Sequence, residues 1–94
     1  MIGILTHHWA KSGCFEKAEM LLKGNGKAQS SALGFVHRRT LYPLSDESQI
    51  TSLVIWESEE IYDRWKQSPE RAKAMDGAEE LWAKPPESQR FLTD

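Results

Sequence analysis

Residues 53–69 limit the fold of this chain more than any other stretch, because one short passage holds a strand end, a corner and two helix starts. Leu53-Val54-Ile55-Trp56 is a β-branched and aromatic run, the composition of a buried strand. Ser58 is suited to cap a helix, since its hydroxyl can accept from an otherwise unpaired N–H. Glu59 and Glu60 then lie at the positive end of the helix dipole. Ile61 and Trp65 are one helical turn apart with Tyr62 beside them, and Glu60 and Arg64 form an outward i,i+4 pair. Ser68-Pro69-Glu70 repeats the start signal, with proline where no N–H is needed. Strand, corner, helix, kink and helix follow in order, with Trp56, Tyr62 and Trp65 converging near the corner.

The remaining elements are read around this core. Met1 to Ala10 is a strand with Ile2, Ile4, Thr6 and His8 on one side and Leu5, His7 and Trp9 on the other. After the Lys11-Ser12-Gly13 corner, Cys14 to Lys23 reads as a helix with Phe15, Ala18, Leu21 and Leu22 inward. Gly24-Asn25-Gly26 is expected to stop it, because two glycines cost roughly 2 kcal/mol against alanine in a helix interior. A further helical turn is expected over Lys27 to Ala32. Phe35 to Tyr42 and Gln49 to Trp56 read as a hairpin around a polar loop. Helices are expected over Glu59 to Lys66 and from Pro69 to about Met75, then a turn over Ala78 to Ala83. Lys84-Pro85-Pro86-Glu87 leads to a short last strand, Gln89 to Thr93.

The order β-α-β-β-α-β predicts an α+β fold: one antiparallel sheet with both crossover helices on the same face. Yet two strands are apolar on both sides. Ile50, Val54 and Trp56 oppose Leu53 and Ile55, and Ile2 and Ile4 oppose Leu5 and Trp9. A second copy, sheet against sheet, is the economical cover for the bare face, so a homodimer is expected.

Trp56-Glu57-Ser58, Tyr62 and Trp65-x-x-Ser68-Pro69 together resemble the antibiotic-biosynthesis-monooxygenase superfamily of ferredoxin-like dimeric α/β barrels. Lys11-Ser12-Gly13 and Leu33-Gly34-Phe35 extend the resemblance towards the whole chain as one domain, residues 1–94. The resemblance implies that Ser52, Val54 and Trp56 lie beneath the helices and that Trp56 and Tyr62 line a substrate pocket. Trp65, Thr6 and His8 are candidates to complete it. Cofactor-free members deprotonate an aromatic substrate whose carbanion itself passes an electron to dioxygen, so no metal, flavin or haem is expected. The asparagine that they carry ahead of that tryptophan, on the same strand, is replaced here by Ser52. Haem-degrading relatives share a tryptophan at the position of Trp65, but this chain has Met75 where they carry an axial histidine and Thr6 where they carry an asparagine. The scaffold also supports isomerase-like chemistry, and a non-enzymatic reading, in which the aromatics only pack or bind a ligand, stands beside the catalytic one.

Other constellations are weaker. His7 and His8 point to opposite faces and cannot share a metal, and His37 adds no His-x-x-x-His spacing. A histidine titrating near neutral pH is a candidate general base, with His8 and Tyr62 the groups for proton transfer. Cys14, the only cysteine, sits at a helix start without a histidine partner and excludes an internal disulfide; it fits a reducing, cytoplasmic setting. A net charge of −2 with interspersed signs gives no reason to bind nucleic acid or an anionic membrane, and Arg38-Arg39 reads as a solvated strand edge.

Overall fold

The computed structural model describes residues 1–94. Four strands, β1 (Ile2–Ala10), β2 (Phe35–Leu41), β3 (Gln49–Trp56) and β4 (Trp82–Leu92), form one antiparallel sheet in the order β2-β3-β1-β4. The central pair, β1 and β3, is the apolar one. Helices α1 (Phe15–Gln29), α2 (Glu59–Lys66) and α3 (Pro69–Ala74) pack on the face carrying Ile2, Ile4, Ile50, Val54 and Trp56. This is the ferredoxin-like arrangement that the element order predicts. Ser58 and Ser68 accept from the N–H groups of Ile61 and Arg71, the two caps read from the sequence.

Two elements differ from expectation. α1 does not stop at the glycines but runs unbroken to Gln29. Ala18, Leu22, Asn25 and Gln29 recur at helical spacing as a buried stripe, so packing along the whole length outweighs the local propensity cost. Gly26 has a specific use within it. A Cβ there would lie 2.7 Å from Arg38 Nε and 2.8 Å from Arg38 Cδ, so the missing side chain is the groove through which Arg38 passes. β4 is the second difference. It starts at Trp82, well before Gln89, and incorporates Pro85 and Pro86. It is an edge strand, and its pairing with β1 shifts between His7 and Ala10, where the prolines sit opposite an irregular stretch of ladder.

The opposite face has no helix over it. Leu5 pairs directly with Leu53, Gly3 with Ile55, and these leucines and isoleucine are only half-buried within one chain. His7 lies on this face, hydrogen-bonded to Thr51 at 2.8 Å, and the Gln49 amide donates to both. Lys84 lies over the Trp9 ring at 3.9 Å. His37 pairs with Ile55 and so shares this face, on the other side of the sheet from His8.

Candidate functional site

The sheet and the helices do not close completely on each other. A cavity of about 400 Å³ lies between them. Strand alternation supplies its floor. Thr6 and His8 of β1 and Ser52 and Val54 of β3 project into the same layer because residues two apart share a face. Across the sheet, Thr40 pairs with Ser52, Ser52 with Thr6, and Thr6 with Ser88, so a row of hydroxyls crosses all four strands. Thr6 Oγ1 and Ser88 Oγ are 3.2 Å apart. Tyr62 and Trp65 of α2 form one wall and Trp82, at the start of β4, another. Leu22, Asn25 and Gln29 of α1 close the side above β2.

Five of the six residues singled out in the sequence meet at this cavity: Thr6, His8, Ser52, Tyr62 and Trp65. Trp56 does not line it. Its ring is wholly buried, edge-on to Phe35 at 5.8 Å, with Tyr62 and Trp65 rings about 6 Å away, and its indole N–H has no partner. It supports the two aromatic wall residues from behind.

His8 is buried and its ring lies 4.6 Å from that of Trp82. Burial, with Arg38, Arg71 and His7 adding repulsion, lowers its pKa to about 4. The expectation of titration near neutrality is therefore corrected: the imidazole is neutral at pH 7, with a buried Nδ1 that no protein group satisfies. Burial pushes the Tyr62 phenol up, against the opposing pull of Arg90 and Arg71, so it is a protonated hydroxyl at neutral pH. Arg90, on β4, bridges Glu59 and Asp63 of α2 and lies 5.0 Å from the Tyr62 ring centroid, holding this helix against the sheet.

Several cavity residues, Trp82 and Gln29 among them, were not legible in the sequence, and two are polar groups of particular interest. Arg38, expected in solvent, turns inward through the Gly26 groove. It donates to Gln29 Oε1 at 2.7 Å and to the Leu22 carbonyl at 3.3 Å. Asn25, taken for part of a helix stop, is buried with its Oδ1 unpartnered. The usable signal was spacing: Asn25 and Gln29 continue the Ala18–Leu22 stripe. Met75 reaches the same cavity from the end of α3. Cys14 precedes α1 without a side-chain capping bond, and no three His, Cys, Asp or Glu side chains gather as a metal set.

Known proteins place this geometry in context. The family model described as antibiotic biosynthesis monooxygenase matches residues 1–77. A conserved protein from Methanosarcina mazei Go1 superposes with a TM-score of 0.89 at 16% identity, covering 99% of this chain and 92% of that one. SnoaB, a cofactor-independent oxygenase from Streptomyces nogalater, gives 0.87 at 13% identity, covering 99% and 92%. A Nitrosomonas europaea protein described with the same family name gives 0.89 at 12%, covering 99% and 98%. At such identities these structures speak for the fold alone. No protein of curated function matches the sequence. With the family model spanning most of its length, the chain belongs to the antibiotic biosynthesis monooxygenase family.

Proposed function

We propose that the protein is a cofactor-independent monooxygenase that takes a small aromatic molecule into the cavity between sheet and helices. The observation that carries this reading is the cavity itself: about 400 Å³, walled by Tyr62, Trp65 and Trp82, with His8 at its floor. A cleft of this size, lined by aromatic side chains and a few polar groups, has the usual form of a small-molecule site.

Such chemistry needs a substrate proton removed, the resulting carbanion stabilised, and water kept away while an electron passes to dioxygen. Neutral His8 offers the lone pair of its unprotonated ring nitrogen as an acceptor. A negative charge forming beside it raises its basicity from the resting value, so proton transfer becomes easier as the carbanion develops. Tyr62 keeps its proton and can donate a hydrogen bond to the substrate oxygen that shares the charge. Ser52 and Thr6 present further hydroxyls, and Trp65 and Trp82 provide flat apolar surfaces for ring contact. Carbon radical and superoxide then combine in the cavity to a peroxide, which takes back a proton and loses water as its O–O bond breaks, so one oxygen atom stays on the substrate as a carbonyl and the other leaves as water.

Oxygen uptake with a polycyclic aromatic ketone bearing an acidic benzylic C–H, in chelator-treated buffer, tests the reading. Tyr62→Phe and His8→Ala are each expected to slow turnover by about a hundredfold, the usual scale of a lost proton-transfer group. Unchanged turnover in both would remove these roles. A ligand bound with no oxygen uptake would leave a binding protein.

We also propose that two copies pack through the open sheet face. Half-buried Leu5, Leu53 and Ile55, with no helix over them, support this assembly.

A further inference from the structure

The cavity carries more positive charge than its own residues neutralise. Arg38, Arg71 and Lys66 reach its wall against one carboxylate, Glu79. None of these three cations belongs to an ion pair: the pairs formed are Lys23–Glu19, Arg64–Glu60, Arg90–Glu59 and Arg90–Asp63. Arg38 is the most confined of the three. Its guanidinium is fixed by two neutral acceptors, Gln29 Oε1 and the Leu22 carbonyl, and burial draws its pKa below the ordinary value. A guanidinium has five N–H donors in a planar fork, so two bonds leave part of that fork unused. Confining a cation without a counter-ion is costly, and its two neutral acceptors offset only part of that cost. His8, at the same cavity, is neutral and adds no counter-charge.

Resting on the cavity being a ligand site, we infer that Arg38 is its specificity-determining residue and that it selects an aromatic carboxylate over a neutral aromatic of the same shape. A carboxylate fits for three reasons. It is charged before any reaction, it matches the planar fork bidentately, and it supplies the missing counter-ion. Gly26 is part of the device, because only its bare Cα lets the Arg38 side chain cross α1 and be held by Gln29. Arg39, next in sequence, pairs with Leu53 and faces the other side of the sheet, so it has no part in it.

Binding of 2-naphthoate and 2-naphthamide, followed by quenching of tryptophan emission and by calorimetry at low salt, tests the assignment. The full chain is expected to bind naphthoate more tightly than naphthamide by about tenfold or more, the scale of a hydrogen bond to a charged group. Arg38→Met should abolish the preference while naphthamide still binds, and Arg38→Lys should keep part of it, as a charge without a fork. Arg39→Gln should leave the ratio unchanged. Equal binding of the two probes to the unmodified protein overturns the inference and leaves the cavity reading standing. So does a preference that survives Arg38→Met, or one lost equally in Arg39→Gln. Binding of neither probe would sink the inference together with the ligand site it rests on.

Discussion

Between pH 6.5 and about 4 the folded and unfolded chains differ in whether they hold a proton on His8. The folded-state pKa lies below the unfolded value of 6.5, so in this window the unfolded chain binds the extra proton. The stabilisation from a neutral, buried His8 is therefore complete above pH 6.5 and is lost as pH falls towards 4. The full loss is roughly 3 kcal/mol, taking 1.36 kcal/mol per pKa unit. Denaturant titrations of the wild type and of His8→Leu across this range should show the difference: a slope in the former that the variant lacks. Parallel slopes would mean that the imidazole is not held neutral by its surroundings. Burial beneath the helices is the main cause, and the positive groups that add to it, Arg38 and Arg71, come from β2 and α3, far from His8 in sequence. A reading of β1 alone could see a histidine but not the field around it, which is why its titration was misjudged.

At the level of elements, the helix–corner–helix passage was legible because each signal in it is local. The capping serines, the N1 proline and the apolar pair Ile61 and Trp65 act within a turn or two of chain. α1 and β4 were less legible because their extent depends on partners elsewhere. Gly24 and Gly26 look alike in the sequence, yet the fold treats them differently. A Cβ on Gly24 meets nothing within 4 Å, whereas one on Gly26 collides with Arg38. Gly24→Ala should therefore stabilise the protein by about 1 kcal/mol through helix propensity alone. Gly26→Ala should fall short of that gain, since Arg38 must leave its bonds to Gln29 and Leu22. Thermal or denaturant unfolding of the two variants side by side checks this, and equal gains would show that the groove has no role. Arg38 is not legible as a cavity residue for the same reason: an arginine on an edge strand turns inward only where another element leaves it room.

For the whole molecule, the two-sided apolar pattern of β1 and β3 was plain in the sequence, and the sheet order brings those strands to its centre. What covers the second face belongs to assembly. If two copies meet there, Leu53→Glu would set charges against an apolar layer, and native mass measurement at micromolar protein should pass from two chains to one. A wild type already single at that concentration would end the assembly proposal. The margins of the sheet have a different consequence. Pro85 and Pro86 lie within the long outer strand β4, and because neighbouring N–H groups of a strand point to opposite sides, the pair removes one donor from the free margin and one from the side facing β1. A stray chain trying to extend the ladder there would find a gap in its donors. Fibre growth from this border is thereby discouraged, even when the protein is crowded.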